Sequence, residues 1–192
     1  AGEMSFTRQM QPKGLGHAVW CARDIIGHEP FAVILPDVIV DSRPGALKQL
    51  AEVYAEVGGN IIGVESVPEE QTHKYGIVDP VRRDGDRIVM KGMVEKPAKG
   101  TAPSNLSISG RYILQPEIFD LLATQEKGAG GEIQLTDAMA RLMADQSFTA
   151  VEYAGVTHDC GDKIGLLRAN VALALKRADL GEAARAAIRD LF

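Results

Sequence analysis

The sequence has 192 residues, 45% apolar and 24% charged, the balance of a folded globular chain rather than a disordered one. Its 21 lysines and arginines against 26 acids leave a net charge of −5, which disfavours a nucleic-acid-binding surface but allows a small anion held by a few cations and backbone donors. No apolar run approaches the ~20 residues that span a bilayer, and the first residues carry no signal-type apolar stretch; with only Cys21 and Cys160, there is neither a disulfide framework nor a cysteine zinc site, so no membrane and a reducing cytoplasm are expected.

In chain order, the apolar spacing of His17–Gly27 predicts a helix, entered through Lys13-Gly14-Leu15-Gly16. Phe31–Leu35 (FAVIL), closed by Pro36-Asp37, reads as a buried parallel strand. Ala46–Val57 returns to helical spacing and ends at Gly58-Gly59, and Asn60–Val67 is a further strand. This alternation is the signature of βαβ units. Tyr75–Val81 and Arg87–Val94 flank Asp84-Gly85, a hairpin signal. Ser107–Leu114 reads as a strand in which Gly110 marks a close backbone approach, and Pro116–Ala123 as a short helix. Gly128–Gly131 is a loop, Leu135–Asp145 a helix that Thr136 could cap, and Thr149–Ala154 a strand. Two helices, Lys163–Arg177 and Glu182–Leu191, complete the sequence. The whole is α/β at the front, mixed behind and helical at the end.

Four constellations could carry chemistry, each with a plain structural alternative. Glycines before the 17–27 helix let N–H groups approach a ligand, and a helix N-terminus favours an anion; a tight turn needs the same residues. Asp37 stands where the FAVIL run ends, a position for a metal ligand in an open α/β sheet, or for a capping or solvated turn aspartate. Glu95-Lys96-Pro97 ends a strand, so the two ionisable side chains should point to opposite faces near that end. A carboxylate there can grip hydroxyls and an ammonium a phosphate; the alternative is a surface ion pair. In Asp159-Cys160-Gly161-Asp162, Asp162 is placed to cap the following helix, while Asp159 with Asp37 would make a two-carboxylate magnesium site. His17, His28, His73 and His158 lack metal-ligand spacing, and Trp20 and the methionines read as packing residues.

Together these segments resemble the bacterial UTP–glucose-1-phosphate uridylyltransferases, a family of sugar nucleotidyltransferases. The resemblance lies in RQ-x-x-x-KGLGHAV (Arg8 to Val19), FAVILPDVI (Phe31 to Ile39), KYGIVD (Lys74 to Asp79), VEKP (Val94 to Pro97), APSNL-x-I-x-GRYIL (Ala102 to Leu114), GAG-x-EIQLTDA (Gly128 to Ala138) and HDCGDK-x-G (His158 to Gly165), in the family's order and across nearly all of the sequence. It implies a Rossmann-like nucleotidyltransferase fold, a mixed central sheet flanked by helices, with 1–192 as one partial domain and 163–192 as its C-terminal helices. It implies Mg2+-dependent conversion of UTP and glucose 1-phosphate to UDP-glucose and pyrophosphate, by a homo-oligomer with no nucleic-acid partner.

Residue by residue, the resemblance implies that Gln9 meets the uracil edge with the Gly14 backbone beside it. Asp37 and Asp159 would hold magnesium at the α-phosphate. The Gly76 backbone would meet the sugar, Glu95 its hydroxyls and Lys96 the sugar phosphate, with Gly110 along the sugar pocket. Both reactants are anions and the attacking phosphate is ionised near neutral pH, so positioning and charge neutralisation suffice without a general base. One departure stands out. The family opens with a strand and a glycine-rich loop of the type G-x-G-T-R…P-K that wraps the triphosphate, and the sequence contains no such motif. The N-terminal βα portion is therefore expected to be missing. A relative using dTTP or another sugar, or a non-catalytic sugar-nucleotide-binding module, are the alternatives.

Overall fold

Breakers and apolar periods set most element boundaries. The computed structural model describes residues 3–191; the bounds 1–192 and 163–192 run to residues outside these. In place of the single helix predicted over 17–27 there are two short ones, α1 (Leu15–Trp20) and α2 (Arg23–Ile26). The division has a local cause: Ala22 N bonds Val19 O, a tightened turn, and the ladder restarts from Ala22 O, which accepts from Ile25 and Ile26. Next come β1 (Phe31–Ile34), β2 (Val38–Asp41), α3 (Ala46–Val57) and β3 (Asn60–Ser66). The chain leaves α3 through Gly58 (φ 65) and Gly59 (φ 70), conformations in which a side chain would be strained.

A hairpin follows, β4 (Gly76–Asp84) and β5 (Arg87–Glu95), then β6 (Leu106–Leu114) and α4 (Ile118–Ala123). The hairpin turns on Gly85-Asp86, one residue later than predicted, because Asp84 already pairs with Arg87 and Gly85 takes the positive φ of 61. α5 (Leu135–Leu142) is capped differently from the expectation: its N-cap is Gln134, and Thr136 is buried inside the first turn. The remaining elements are β7 (Phe148–Glu152), β8 (Val156–Asp159), α6 (Lys163–Lys176) and α7 (Gly181–Arg189).

The chain forms two compact units, one of residues up to Ile34 with Ala46–Tyr153, the other of Leu35–Gly45 with the residues from Ala154 on. The first holds a six-stranded mixed sheet in the order β1-β6-β3-β7-β5-β4. Among the described residues only β3 and β7 pair in parallel; the other neighbours are antiparallel. β1 and β3 both run antiparallel to β6, so they share one direction, as a βαβ unit requires, with β6 between them.

β1 departs from its expected burial and pairing. It lies at the sheet edge, antiparallel to β6, with Ala32 and Ile34 exposed, Ile34 to 52%. An apolar run signals burial on both faces only when a covering layer is present, and one side of β1 has none among the described residues. All nine residues of β6 are buried, so both of its faces are covered. α3 packs on β3 and β6, α5 on β5, and α1 and α4 against α5. Leu50, Ile61, Ile62, Val64, Ile77 and Val78 have no exposed surface, each contributing about 1.5–3 kcal/mol of burial. The methionines divide: Met90, Met93 and Met139 are buried as expected, but Met4 and Met10 are exposed.

The second unit is an antiparallel ribbon of β2 and β8 with α6 packed on β8 and α7 on α6. An ion pair of Lys176 with Asp41 ties the end of α6 to β2, and the ammonium holds the Asp41 carboxyl below the usual carboxylate range. No helix among the described residues is long and apolar enough to cross a membrane.

Candidate functional site

In the first unit, the loop Lys13–Gly16 is clamped against Glu132-Ile133. Ile133 N donates to Lys13 O at 2.7 Å, and Gly16 N donates to Ile133 O at 2.9 Å. The approach is too close for a side chain: at Gly14 (φ 103) a Cβ would stand 2.7 Å from Glu132 Cβ and 2.8 Å from Ile133 O. Glycine is thus required by both backbone conformation and space. Gln9 folds back over this loop, its Nε2 donating to Gly14 O at 3.0 Å and lying 2.9 Å from His17 Nδ1. Gln9 and Gly14 are brought together as expected. His17 joins them, although nothing in its sequence spacing marked it.

The second cluster lies where β4 begins and β5 ends. Gly76 pairs in register with Glu95. A Cβ on Gly76 would meet Glu95 Oε2 and Thr136 Oγ1 at 3.0 Å and Ile108 Cδ1 at 3.1 Å, so bare backbone faces a carboxylate, a hydroxyl and an apolar wall. The Lys96 ammonium is 3.7 Å from Glu95 Oε1, with the Lys96 side chain 46% exposed and that of Glu95 only 11%. Opposite orientations are expected from strand alternation, and the structure corrects this: Lys96 leaves the strand with φ 45, its N–H bonded to Tyr75 O, which brings both charges to one place. Gly110 (φ 71) lies two residues beyond Ile108, at a bulge where β6 loses register with β3 opposite Gly63.

Glu132–Thr136 touches both clusters, through Ile133 at the Gly14 loop and Thr136 at Gly76. That link could have been found in the sequence from the EIQLTDA motif, but the Thr136 contact could not, because it depends on which face of α5 meets β4. Beside it, partial burial pushes the Asp137 carboxyl up from the usual range.

The expected metal pair lies in the second unit. Val38 pairs with Asp159 across the ribbon, and Cys160 N donates to Asp37 O at 2.7 Å, bringing Asp37 and Asp159 together. Both flank Gly161: a Cβ there would lie 3.0 Å from Asp159 Oδ1 and 3.5 Å from Asp37 Oδ2. Gly165 of α6 passes so close that a Cβ would stand 1.8 Å from Asp159 O. Asp162 caps α6 as expected, accepting from Ile164 N at 2.8 Å and Gly165 N at 2.9 Å. No group of three or more His, Cys, Asp or Glu side chains able to hold a metal occurs among the described residues. Two hard carboxylate donors suit a cation that takes few protein ligands and completes its shell with water or phosphate.

A model of the family described as nucleotidyl transferase matches residues 2–175. The chain belongs to the nucleotidyl transferase family. Among its relatives in this family, the UTP–glucose-1-phosphate uridylyltransferase of Staphylococcus epidermidis is 49% identical over 186 residues, covering 97% of this chain and 65% of the relative. The enzyme of that name from Bacillus subtilis is 51% identical over 178 residues, 93% of this chain and 61% of its own length. A crystal structure of UDP-glucose pyrophosphorylase complexed with UDP-glucose superposes with a TM-score of 0.87 at 40% identity, covering 90% of this chain and 66% of that one. The UTP-bound enzyme from Acinetobacter baumannii gives 0.83 at 41% identity, covering 95% and 64%. The mixed sheet with its helices is thus the α/β fold of this nucleotidyl transferase family, and the chain spans about 65% of the length of the first of these relatives.

Proposed function

We propose that this chain carries the base- and sugar-binding part of an enzyme that converts UTP and glucose 1-phosphate into UDP-glucose and pyrophosphate. The observation that carries the proposal is the Gly76, Glu95 and Lys96 cluster. It sets a sheltered carboxylate 3.7 Å from an exposed ammonium beside bare backbone, a pairing suited to a ligand with hydroxyls next to a phosphate. The names of the relatives support the same reading.

In this proposal Glu95 accepts hydrogen bonds from glucose hydroxyls, and the Gly76 backbone admits the sugar at a distance that any side chain would prevent. Lys96 neutralises the sugar phosphate, lowering the repulsion between two anionic reactants. Gln9 and Gly14 orient the uracil, and Gly110 shapes the strand behind the sugar. Asp37 and Asp159 would hold a divalent cation, with Mg2+ as the ion proposed. When bound, it supplies charge neutralisation at phosphate oxygens. No side chain acts as general base, because the attacking phosphate is already ionised near neutral pH.

We assign both compact units to one nucleotidyltransferase domain, 163–192 being its C-terminal helical segment. A cytoplasmic location is supported by two free thiols, Cys21 and Cys160. Homo-oligomerisation is supported by Ile164, Leu166 and Leu167 of α6, large apolar side chains left exposed. Calorimetry of the chain against UDP-glucose tests the central claim: saturable binding is expected, and its absence overturns the assignment. Tighter binding of a dTDP-linked or different sugar replaces the proposed substrate. In the enzyme that contains this stretch, Asp37→Ala should cut pyrophosphate release roughly hundredfold or more; near-unchanged turnover would remove the metal role.

A further inference from the structure

We infer that His17 is a positioning residue for base recognition. Its Nδ1 and the Gly14 carbonyl hold the Gln9 amide by the nitrogen, so that only Oε1 faces the pyrimidine and the site selects uracil over cytosine. The inference deepens the proposal above and rests on Gln9 meeting the base.

Gln9 Nε2 has two hydrogens and two acceptors, Gly14 O at 3.0 Å and His17 Nδ1 at 2.9 Å. A carbonyl oxygen only accepts, so the amide nitrogen must face Gly14; turning the amide over would set two oxygens against each other. With Nδ1 accepting, the imidazole proton sits on Nε2. Both hydrogens are then committed, and no donor among the described residues reaches Gln9 Oε1.

His17 is well placed to hold this arrangement. Its ring stacks on Trp20 with centroids 5.7 Å apart, and the Arg23 guanidinium covers the Trp20 ring at 3.7 Å. The first turn of α1 is itself pinned by the bond from Gly16 N to Ile133 O. Cys21 Sγ, 3.8 Å from Nδ1, is too weak a donor to displace the amide.

Uracil carries a hydrogen on N3, which an amide oxygen accepts; cytosine N3 is an acceptor and would meet Oε1 with no proton between them. If the His17 acceptor is lost, the Gly14 carbonyl alone holds the amide nitrogen, so swinging the side chain off that carbonyl to offer nitrogen to cytosine costs one hydrogen bond instead of two. Thymine has the same N3 hydrogen as uracil, so His17 separates uracil from cytosine but not from thymine.

The test is calorimetry of the chain and two variants with UDP-glucose, CDP-glucose and dTDP-glucose. The unvaried chain should prefer UDP-glucose to CDP-glucose. His17→Leu should narrow that ratio roughly tenfold, the value of one hydrogen bond, and leave the dTDP-to-UDP ratio unchanged. His17→Asn, whose Oδ1 stands where Nδ1 was, should restore the preference. Equal weakening of all three ligands, or an unchanged ratio in a His17→Leu chain that still binds UDP-glucose, overturns the inference. If the unvaried chain binds none of them, the substrate proposal itself fails and takes this inference with it. Should His17→Leu not fold, NMR of the unvaried chain decides: both Gln9 side-chain amide protons should be protected from exchange, and a freely exchanging amide overturns the role.

Discussion

Lys96 serves two purposes that conflict in one residue. Its ammonium belongs beside Glu95, but its backbone sits at φ 45, where a side chain is strained by about 1–3 kcal/mol. That strain is what carries the side chain out of strand alternation and sets both charges together. Lys96→Gly should therefore be more stable to urea than Lys96→Ala by about 1 kcal/mol, the reverse of the usual order, while both should lose the sugar-phosphate affinity proposed for Lys96. A glycine variant less stable than the alanine variant would refute the strain. The motif Glu-Lys-Pro made the chemistry of this pair legible in the sequence. Its geometry was not legible, because alternation describes residues within a strand and Lys96 lies one step beyond.

At the scale of elements, α6 is the clearest case of a local signal setting where an element begins. Asp162 accepts from Ile164 N and Gly165 N, satisfying two of the donors that a helix start leaves open. Asp162→Ala should cost about 1 kcal/mol in urea unfolding, and Asp162→Asn much less. Because α6 starts four residues beyond Asp159, at Lys163, the alanine variant should also weaken divalent-cation affinity measured by titration; unchanged affinity would detach the cap from the proposed metal pair. Long periodic elements such as α3 and β6 were readable because many residues repeat one signal. The strands β2 and β8 were not, since four half-exposed residues each offer no sustained period, and only their pairing makes them a ribbon.

At the scale of the whole molecule, four acids among the described residues are displaced from the ordinary range and shape stability against pH. Asp41 is lowered by its hydrogen bond and attraction to Lys176, Glu117 by a hydrogen bond from Gln146, and Asp179 by a hydrogen bond from Arg177. Such groups add stability above their unfolded pKa, about 4, and lose it as the pH falls through the lower folded value. The urea midpoint should therefore fall in acid, below about pH 4. Asp137 has the opposite sign: burial raises its pKa, so its charged form opposes folding at neutral pH and its protonated form does not. Asp137→Asn should raise the urea midpoint at pH 7 and have no effect at pH 3. An increase at both values would point to a cause other than charge.

The sequence by itself determined the α/β class, the long elements, the Asp162 cap and the residues worth testing, because these follow from local periods, breakers and side-chain chemistry. Tertiary structure decided which of those residues meet. It placed β6 between β1 and β3, put one face of β1 at an open edge, set Thr136 against Gly76 and turned His17 onto Gln9. The net charge of −5 could disfavour a broad anionic partner, but it could not say where single cations stand. The physical reason is the same throughout: local patterns fix conformation over a few residues, whereas strand order, edge exposure and contacts between distant segments depend on how the whole chain buries its apolar surface.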